Sequence, residues 1–506
     1  MSSSAQTQMK YVRGSVALGN TFGTQIPTPS FKPLRLTKDA LKANYKTVKS
    51  KEIVNSFRTK QYRRVGLDLS GSLGVEFLFG NVDDLLEALL YSLWQRTPQR
   101  YNATSDTQIS DVAAGTGVVT VQTAVADDEN RWGSYAVAQL IQTRGFTNAG
   151  NNFLKRATAA SSTSFTVDVG GLVNEAAPPL GARAKVVGVE APANGNISLT
   201  TSGLGAGEVA IINGTGIDFV ACGIVPGMWL KAAVFPTTAN NGFYRALNVT
   251  ATRIGVDIAP TGVATDTAAA AMVRLYMPDY LRDGSAAITW FDLERYLPQL
   301  ATPEYHYFLS MLPNAFNLTL GPQDIISCDM GFVGSQRTTG TSRVASPVDL
   351  TADALDVLPR TGDMYNSSSN IARVLMGNTP LVDLVTQCAW QIQNNASGLP
   401  VVGNLGAGRI LRPSFGPTLS LTQYYESRAG FLASLEADTA LSVSMVMTDP
   451  LGTKAFVIDY PNAKVLADDL NDIVVDSELD TPINVGAIEH VAFNCMVQLQ
   501  RFEQVS

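Results

Sequence analysis

Apolar and polar residues alternate along much of this 506-residue chain, the period-2 signature of strands with one buried face. Val65, Leu67 and Leu69 alternate with Gly66, Asp68 and Ser70. After an expected turn at Ser70-Gly71, Val75, Phe77 and Phe79 continue the series. The period then lengthens. Val82, Leu85, Leu86, Leu89 and Leu90 fall at helical spacing, with Asn81 placed as a cap and Asp83 and Asp84 near the positive helix end. The pattern predicts two strands and an amphipathic helix ending near Trp94.

The unit returns 346 residues later. Leu419 and Leu421 alternate with Thr418, Ser420 and Thr422, Ser427 stands as a cap after Tyr425, and Phe431, Leu432 and Leu435 take the places of Leu85, Leu86 and Leu89. Alternating strands follow each copy: Phe316-Leu318-Leu320 and Ile326-Cys328-Met330-Phe332 after the first, Leu441-Val443-Met445-Met447 and Val491-Phe493-Cys495-Val497-Leu499 after the second. Both copies carry Pro-Asn-Ala, at 313–315 and 461–463.

A second repeat lies inside the first copy. Asn151-Asn152-Phe153-Leu154-Lys155-Arg156-Ala157 is echoed by Asn240-Asn241-Gly242-Phe243-Tyr244-Arg245-Ala246, each followed by an alternating run and preceded by a tryptophan, Trp132 or Trp229. The period predicts two small all-β modules in tandem, over 101–190 and 191–280. An insertion of this kind leaves and returns at the surface and decorates its host.

Pro27, Pro29 and Pro33 disfavour a long helix near the start, and a short helix over Thr37–Lys46 is one option. Charge sharpens the picture. Residues 1–64 hold thirteen Lys/Arg against two acids, Asp39 and Glu52, while the remainder carries 24 basic and 42 acidic residues. A basic segment ahead of an acidic body reads as an extended arm that docks on an acidic neighbour or touches nucleic acid. Its candidate contact residues are Lys32, Arg35, Lys38, Lys42, Lys46 and Lys49. The chain then divides into an arm (1–51), a discontinuous first domain (52–100 and 281–345), two inserted modules (101–190, 191–280) and a second domain (346–506).

At 45% apolar and 16% charged residues, pervasive disorder is excluded. No apolar run approaches the ~18 residues of a membrane span. No secretory pattern opens the chain, so synthesis in a cytoplasm is expected.

Chemistry is sparse. Cys222, Cys328, Cys388 and Cys495 are scattered and read as buried hydrophobes. His306 and His490 have neither zinc spacing nor a triad partner, and the glycine clusters at 203–207 and 403–408 lack the phosphate-loop lysine. No enzyme and no cofactor are expected. One dense acidic stretch stands out: Asp468, Asp469, Asp472, Asp476, Glu478 and Asp480. It reads as a solvated loop, as an anionic rim at a shared surface or channel, or as a divalent-ion site.

In order along the chain, Glu52-Ile53, Arg58, Gln61, Ser70-Gly71, Phe77, Phe79, Asp83-Asp84, Leu85-Leu86 and Trp94, then Ala315 to Leu320 and Gly331-Phe332-Val333-Gly334, resemble the tail tube proteins of long-tailed bacteriophages. The Gly145–Asn152 segment is similar to surface modules inserted in such proteins. The resemblance implies a mainly β fold with two β-sandwich or barrel tube domains, each with a flanking helix. It implies a virion tail protein whose rings, three chains each with pseudo-six-fold symmetry, stack around a tape-measure protein, meet terminator and baseplate proteins, and later conduct DNA. In that setting the acidic stretch would line the lumen or a ring-stacking surface. A cell-surface or carbohydrate-binding virion protein, with the inserted modules as heads, is the alternative.

Overall fold

Period-2 patterning over long segments commits most of the chain to strands, and their partners lie far away in sequence. The computed structural model describes residues 8–16, 18–27, 29–50, 61–78, 80–103, 106–123, 133–285, 288–344, 348–349, 364–381, 385–412, 414–424, 431–468 and 480–505. Phe79, Trp132 and Ser427 lie outside the described residues.

The first domain is built from β1 (Gln8–Ser15), β2 (Lys42–Lys49), β3 (Tyr62–Glu76), α1 (Asp83–Leu90), β4 (Thr289–Leu297), β5 (Glu304–Leu320) and β6 (Ser327–Gly334). All their pairings are antiparallel, in the spatial order β1-β4-β5-β6-β3-β2. The second domain uses β7 (Ile371–Met376), β8 (Val385–Gln393), β9 (Gly416–Tyr424), α2 (Phe431–Glu436), β10 (Leu441–Thr448), β11 (Ala455–Asp468), β12 (Asp480–Ala487) and β13 (Gln498–Phe502). Its order is β7-β10-β11-β12-β9-β8, the same plan strand for strand. A further strand lies on the same edge of each long strand, Gln336–Gly340 on β5 and β13 on β11. The duplication seen in the helix therefore extends through the whole sheet. No closed barrel forms among the described residues; the sheets wrap one apolar core shared by both domains, from Met9 to Leu499.

Several expectations need correction. The N-terminal segment is not an extended arm over its described residues. β1 pairs along its full length with β4, and Met9, Tyr11, Phe31, Leu34 and Leu41 are buried. It supplies the strands that β7 and β8 supply in the second domain. Thr37–Lys46 is strand, not helix: Lys38–Asp39 and β2 both pair with β3. No turn interrupts Ser70-Gly71. Gly71 lies within β3, and it is glycine because a Cβ there would meet the Ala40 carbonyl oxygen at 2.3 Å.

The helix boundaries shift as well. Val82, not Asn81, occupies the cap of α1, and the helix stops at Leu90 because Tyr91 takes a left-handed conformation at φ 50°. The run expected from Val491 to Leu499 is strand only from Gln498: Asn494 has φ 51° and His490 bridges Cys495. The two Pro-Asn-Ala triplets fall on equivalent strands, β5 and β11, but two positions out of step in the ladders.

The inserted modules form a 15-stranded sheet of their own with one core, from Ile109 to Met277. Each half repeats a plan. In the first, Ile109–Ala113, Val118–Val121, Ser164–Val167, Leu154–Ala160, Gln139–Arg144 and Arg183–Glu190 are consecutive neighbours. In the second, Ile197–Thr200, Ala210–Gly214, Arg253–Ile258, Phe243–Val249, Trp229–Ala233 and Arg274–Tyr276 follow the same order. The halves meet where their last strands pair antiparallel, Gly188↔Tyr276 to Glu190↔Arg274.

Candidate assembly interface

Two domains of one plan in one chain make one domain–domain contact visible. The C-terminal half of β5 pairs antiparallel with β8, from Ala315↔Gln393 to Leu320↔Cys388. Phe316, Leu318, Trp390 and Ile392 are buried at this seam. Polar groups fix the register. Asn314 accepts hydrogen bonds from the Asn394 and Ala396 amides (2.8 and 2.6 Å), and the Asn394 side chain donates to the Leu89 carbonyl at 2.8 Å. Beyond the seam, the hairpin of Ser397–Pro400 and Ala407–Leu411 leans back on the first domain. There the Leu67 amide donates to the Leu405 carbonyl (2.7 Å) and Gln336 to Asn404 (2.9 Å). β5 and β8 are unlike strands, so the contact is heterologous.

A second contact locks the insert to the second domain. Asp459, fully buried on β11, accepts from Arg245 at 3.0 and 3.1 Å, from the Trp229 indole at 3.0 Å and from Gln498 at 2.7 Å. Burial works against the Arg245 charge, yet Asp459 and Asp257 hold its pKa above the ordinary arginine value. Nearby, Lys185 bridges Asp279 and Glu503 at 2.6 and 2.8 Å, and Arg183 pairs with Glu503 at 2.9 Å. Apolar contact accompanies the charges, Phe243 meeting Phe502 edge-on at 5.6 Å. The insert is therefore bolted down by paired buried ions as well as tethered.

The charged candidates divide. Lys32 is an internal ion-pair residue, bound to Asp84 at 2.7 Å. Arg35 is exposed, and its carbonyl accepts from Asn81 at 3.5 Å. Lys38, Lys42, Lys46 and Lys49 are exposed on Lys38–Asp39 and β2. Of the acidic stretch, Asp468 ends β11 opposite Ile483, and Asp480 begins β12 opposite Tyr424. Asp469, Asp472, Asp476 and Glu478 lie outside the described residues. Asn394 and Asp459 were not picked out from sequence, and Asn314 was noted only within a Pro-Asn-Ala triplet. Asp459 does leave a trace, as a lone carboxylate within Val457-Ile458-Asp459-Tyr460.

His306 sits 3.1 Å from Glu304, and His490 stacks on Phe493 at 3.9 Å. Among the described residues, no group of three or more His, Cys, Asp or Glu is placed to hold a metal ion, and no helix is long and apolar enough to cross a membrane.

The fold is a duplicated antiparallel sheet whose two copies are joined by the pairing of unlike strands. The family model for the phage tail tube protein matches the chain twice, over residues 12–262 and 229–494. The chain belongs to that family and is a structural protein of the phage tail. The first match begins inside β1, in keeping with the N-terminal strand being part of the domain. No curated protein matches the chain significantly.

Proposed function

We propose that this protein is a tail tube subunit that forms three-chain, pseudo-six-fold rings, which stack around a tape-measure protein and form the channel for DNA ejection. The observation that carries the reading is the heterologous β5:β8 seam between two domains of one plan. A heterologous contact closes into a ring when its rotation divides a full turn, and six equivalent domains would need three chains. Outside residues 1–64 the chain has an excess of eighteen acidic over basic residues, so DNA phosphates would slide past such a wall without trading counterions for it. Terminator and baseplate proteins would meet the ends of the stack, and the insert would decorate its outside.

Light scattering and negative-stain microscopy across a concentration series test this. Three-chain particles, or tubes with an axial channel, are expected. A chain that stays monomeric at every concentration and salt condition would remove the reading.

A further inference from the structure

The internal seam has an unused copy of each half. β5 gives the edge Ala315–Leu320 to β8, next to the edge covered by β4. In the second domain β10 covers β11 only as far as Ala463, and Lys464–Asp468 has no strand partner on that edge among the described residues. The counterpart of β8 is the segment around β2, which pairs with β3 on one edge and with no strand on the other among the described residues. One domain thus offers an empty acceptor edge and the other an empty donor edge.

Resting on the tube-subunit reading, we infer that the edge Lys464–Asp468 of one subunit pairs antiparallel with residues 38–42 of the next, in the register of the internal seam. The ladders fix that register. Ala315 faces Gly331, which faces Ser72; the equivalent of Ser72 is Thr418, which faces Gly486, which faces Lys464. Gln393 faces Gly416, whose equivalent Ser70 faces Lys42. The pair Ala315↔Gln393 therefore becomes Lys464↔Lys42 between chains, and Phe316↔Ile392 becomes Val465↔Leu41.

Side-chain chemistry agrees at the second pair. Val465 and Leu41 are apolar and buried, as Phe316 and Ile392 are. The like-charged pair is moderated on one side, where Lys464 already binds Asp438 at 2.8 Å. The paired segments bring Asp468, the first of the acidic candidates, and Lys38 and Lys42 of the basic ones to the same contact. The single chain also shields its donor edge. The Leu41 amide is held by the Asp39 carboxylate (3.1 Å), and the Leu41 carbonyl by Arg295 (3.0 Å). Exposed edges are commonly blunted in this way against indiscriminate pairing.

Cysteine cross-linking tests the register. Chains carrying Lys42→Cys are mixed with chains carrying Lys464→Cys, assembled, oxidised with copper phenanthroline and run on a non-reducing gel. The internal pair Ala315→Cys/Gln393→Cys in one chain sets the reference extent. A two-chain band is expected from the mixture, none from either variant alone, and a covalent three-chain species from the double variant K42C/K464C. The native cysteines are all buried. Rings visible by microscopy without the cross-link would overturn the edge pairing while leaving the tube reading intact. Unchanged melting of each single variant without any ring would overturn both.

Discussion

The chain contains two internal duplications that solve the same problem in opposite ways. In the insert, the two halves meet through copies of the same strand, Arg183–Glu190 against Arg274–Tyr276. Antiparallel pairing of a strand with its own copy is self-complementary and closes on itself. In the tube, β5 meets β8, which is a copy of a different strand. That pairing is directional, and among the described residues it leaves one acceptor edge and one donor edge without a strand partner. The first duplication produces a finished object; on the proposed reading the second produces a link in a chain. Which strand ends at the seam decides between them.

The largest expected effect comes from cutting the two duplications apart. Asp459→Ala leaves the buried Arg245 with Asp257 as its remaining carboxylate and deprives Trp229 and Gln498 of an acceptor. A loss of about 3–5 kcal/mol is expected, read as a lowered guanidinium midpoint. An unchanged midpoint would show that the insert is held by other contacts.

Next in size is a titration confined to the first tube domain. Asp292 is buried, accepts from the Ser310 and Ile26 amides, and burial raises its pKa from 3.8 to about 6. The folded state thus binds its proton more tightly than the unfolded chain does. The resulting stabilisation is complete below pH 3.8 and is lost as pH rises through 6, a span of roughly 3 kcal/mol. Glu208 acts with the opposite sign: hydrogen bonds from Arg253, Gly205 and Asn248 outweigh its burial and lower its pKa to about 2. The clean measurement is therefore parent against Asp292→Asn in urea at pH 4.5 and pH 7. Parallel pH profiles for the two proteins would count against the assignment.

A smaller effect tests the closed seam. A Cβ on residue 188 would stand 2.4 Å from the Leu275 carbonyl oxygen and 2.9 Å from the Tyr276 Cα. Gly188→Ala should cost about 1–3 kcal/mol through overpacking, seen as a lower melting temperature, with ring formation by folded protein unchanged. Loss of rings from protein that is still folded would mean that the insert's seam takes part in assembly.

The smallest effect on stability concerns the open donor strand. Lys46 and Asp68 lie 2.7 Å apart with 63% and 57% of their side-chain surfaces exposed. Lys46→Ala should change stability by less than about 0.5 kcal/mol, within the error of a urea melt. The same variant should leave ring formation unchanged, because Lys46 lies outside the 38–42 segment of the donor strand.

Local signals survived translation into sequence and long-range ones did not. Leu85, Leu86 and Leu89 announce a helix because the period lies within a few residues, and the matching triplet at Phe431 announces its copy. Met9 and Tyr11 announce nothing by themselves, since their partners on β4 lie some 280 residues later and nearby prolines and lysines dominate the local pattern. Gly71 was misread for a related reason. Its glycine answers the close approach of Ala40, which no window around Ser70 contains. The lysine row was legible as a charged surface; that it forms an open strand edge depends on β3, β5 and the second domain together.

Domain one carries its insert between α1 and β4, while the corresponding position in domain two is the turn 437–440, which is exposed throughout. The same scaffold thus accommodates roughly 180 foreign residues at one copy of this joint and almost none at the other. For an engineer the vacant joint is a loading dock. A folded payload spliced at 437–440 would fill the one copy of the joint the chain leaves bare, giving a filament that displays native modules and cargo in strict alternation.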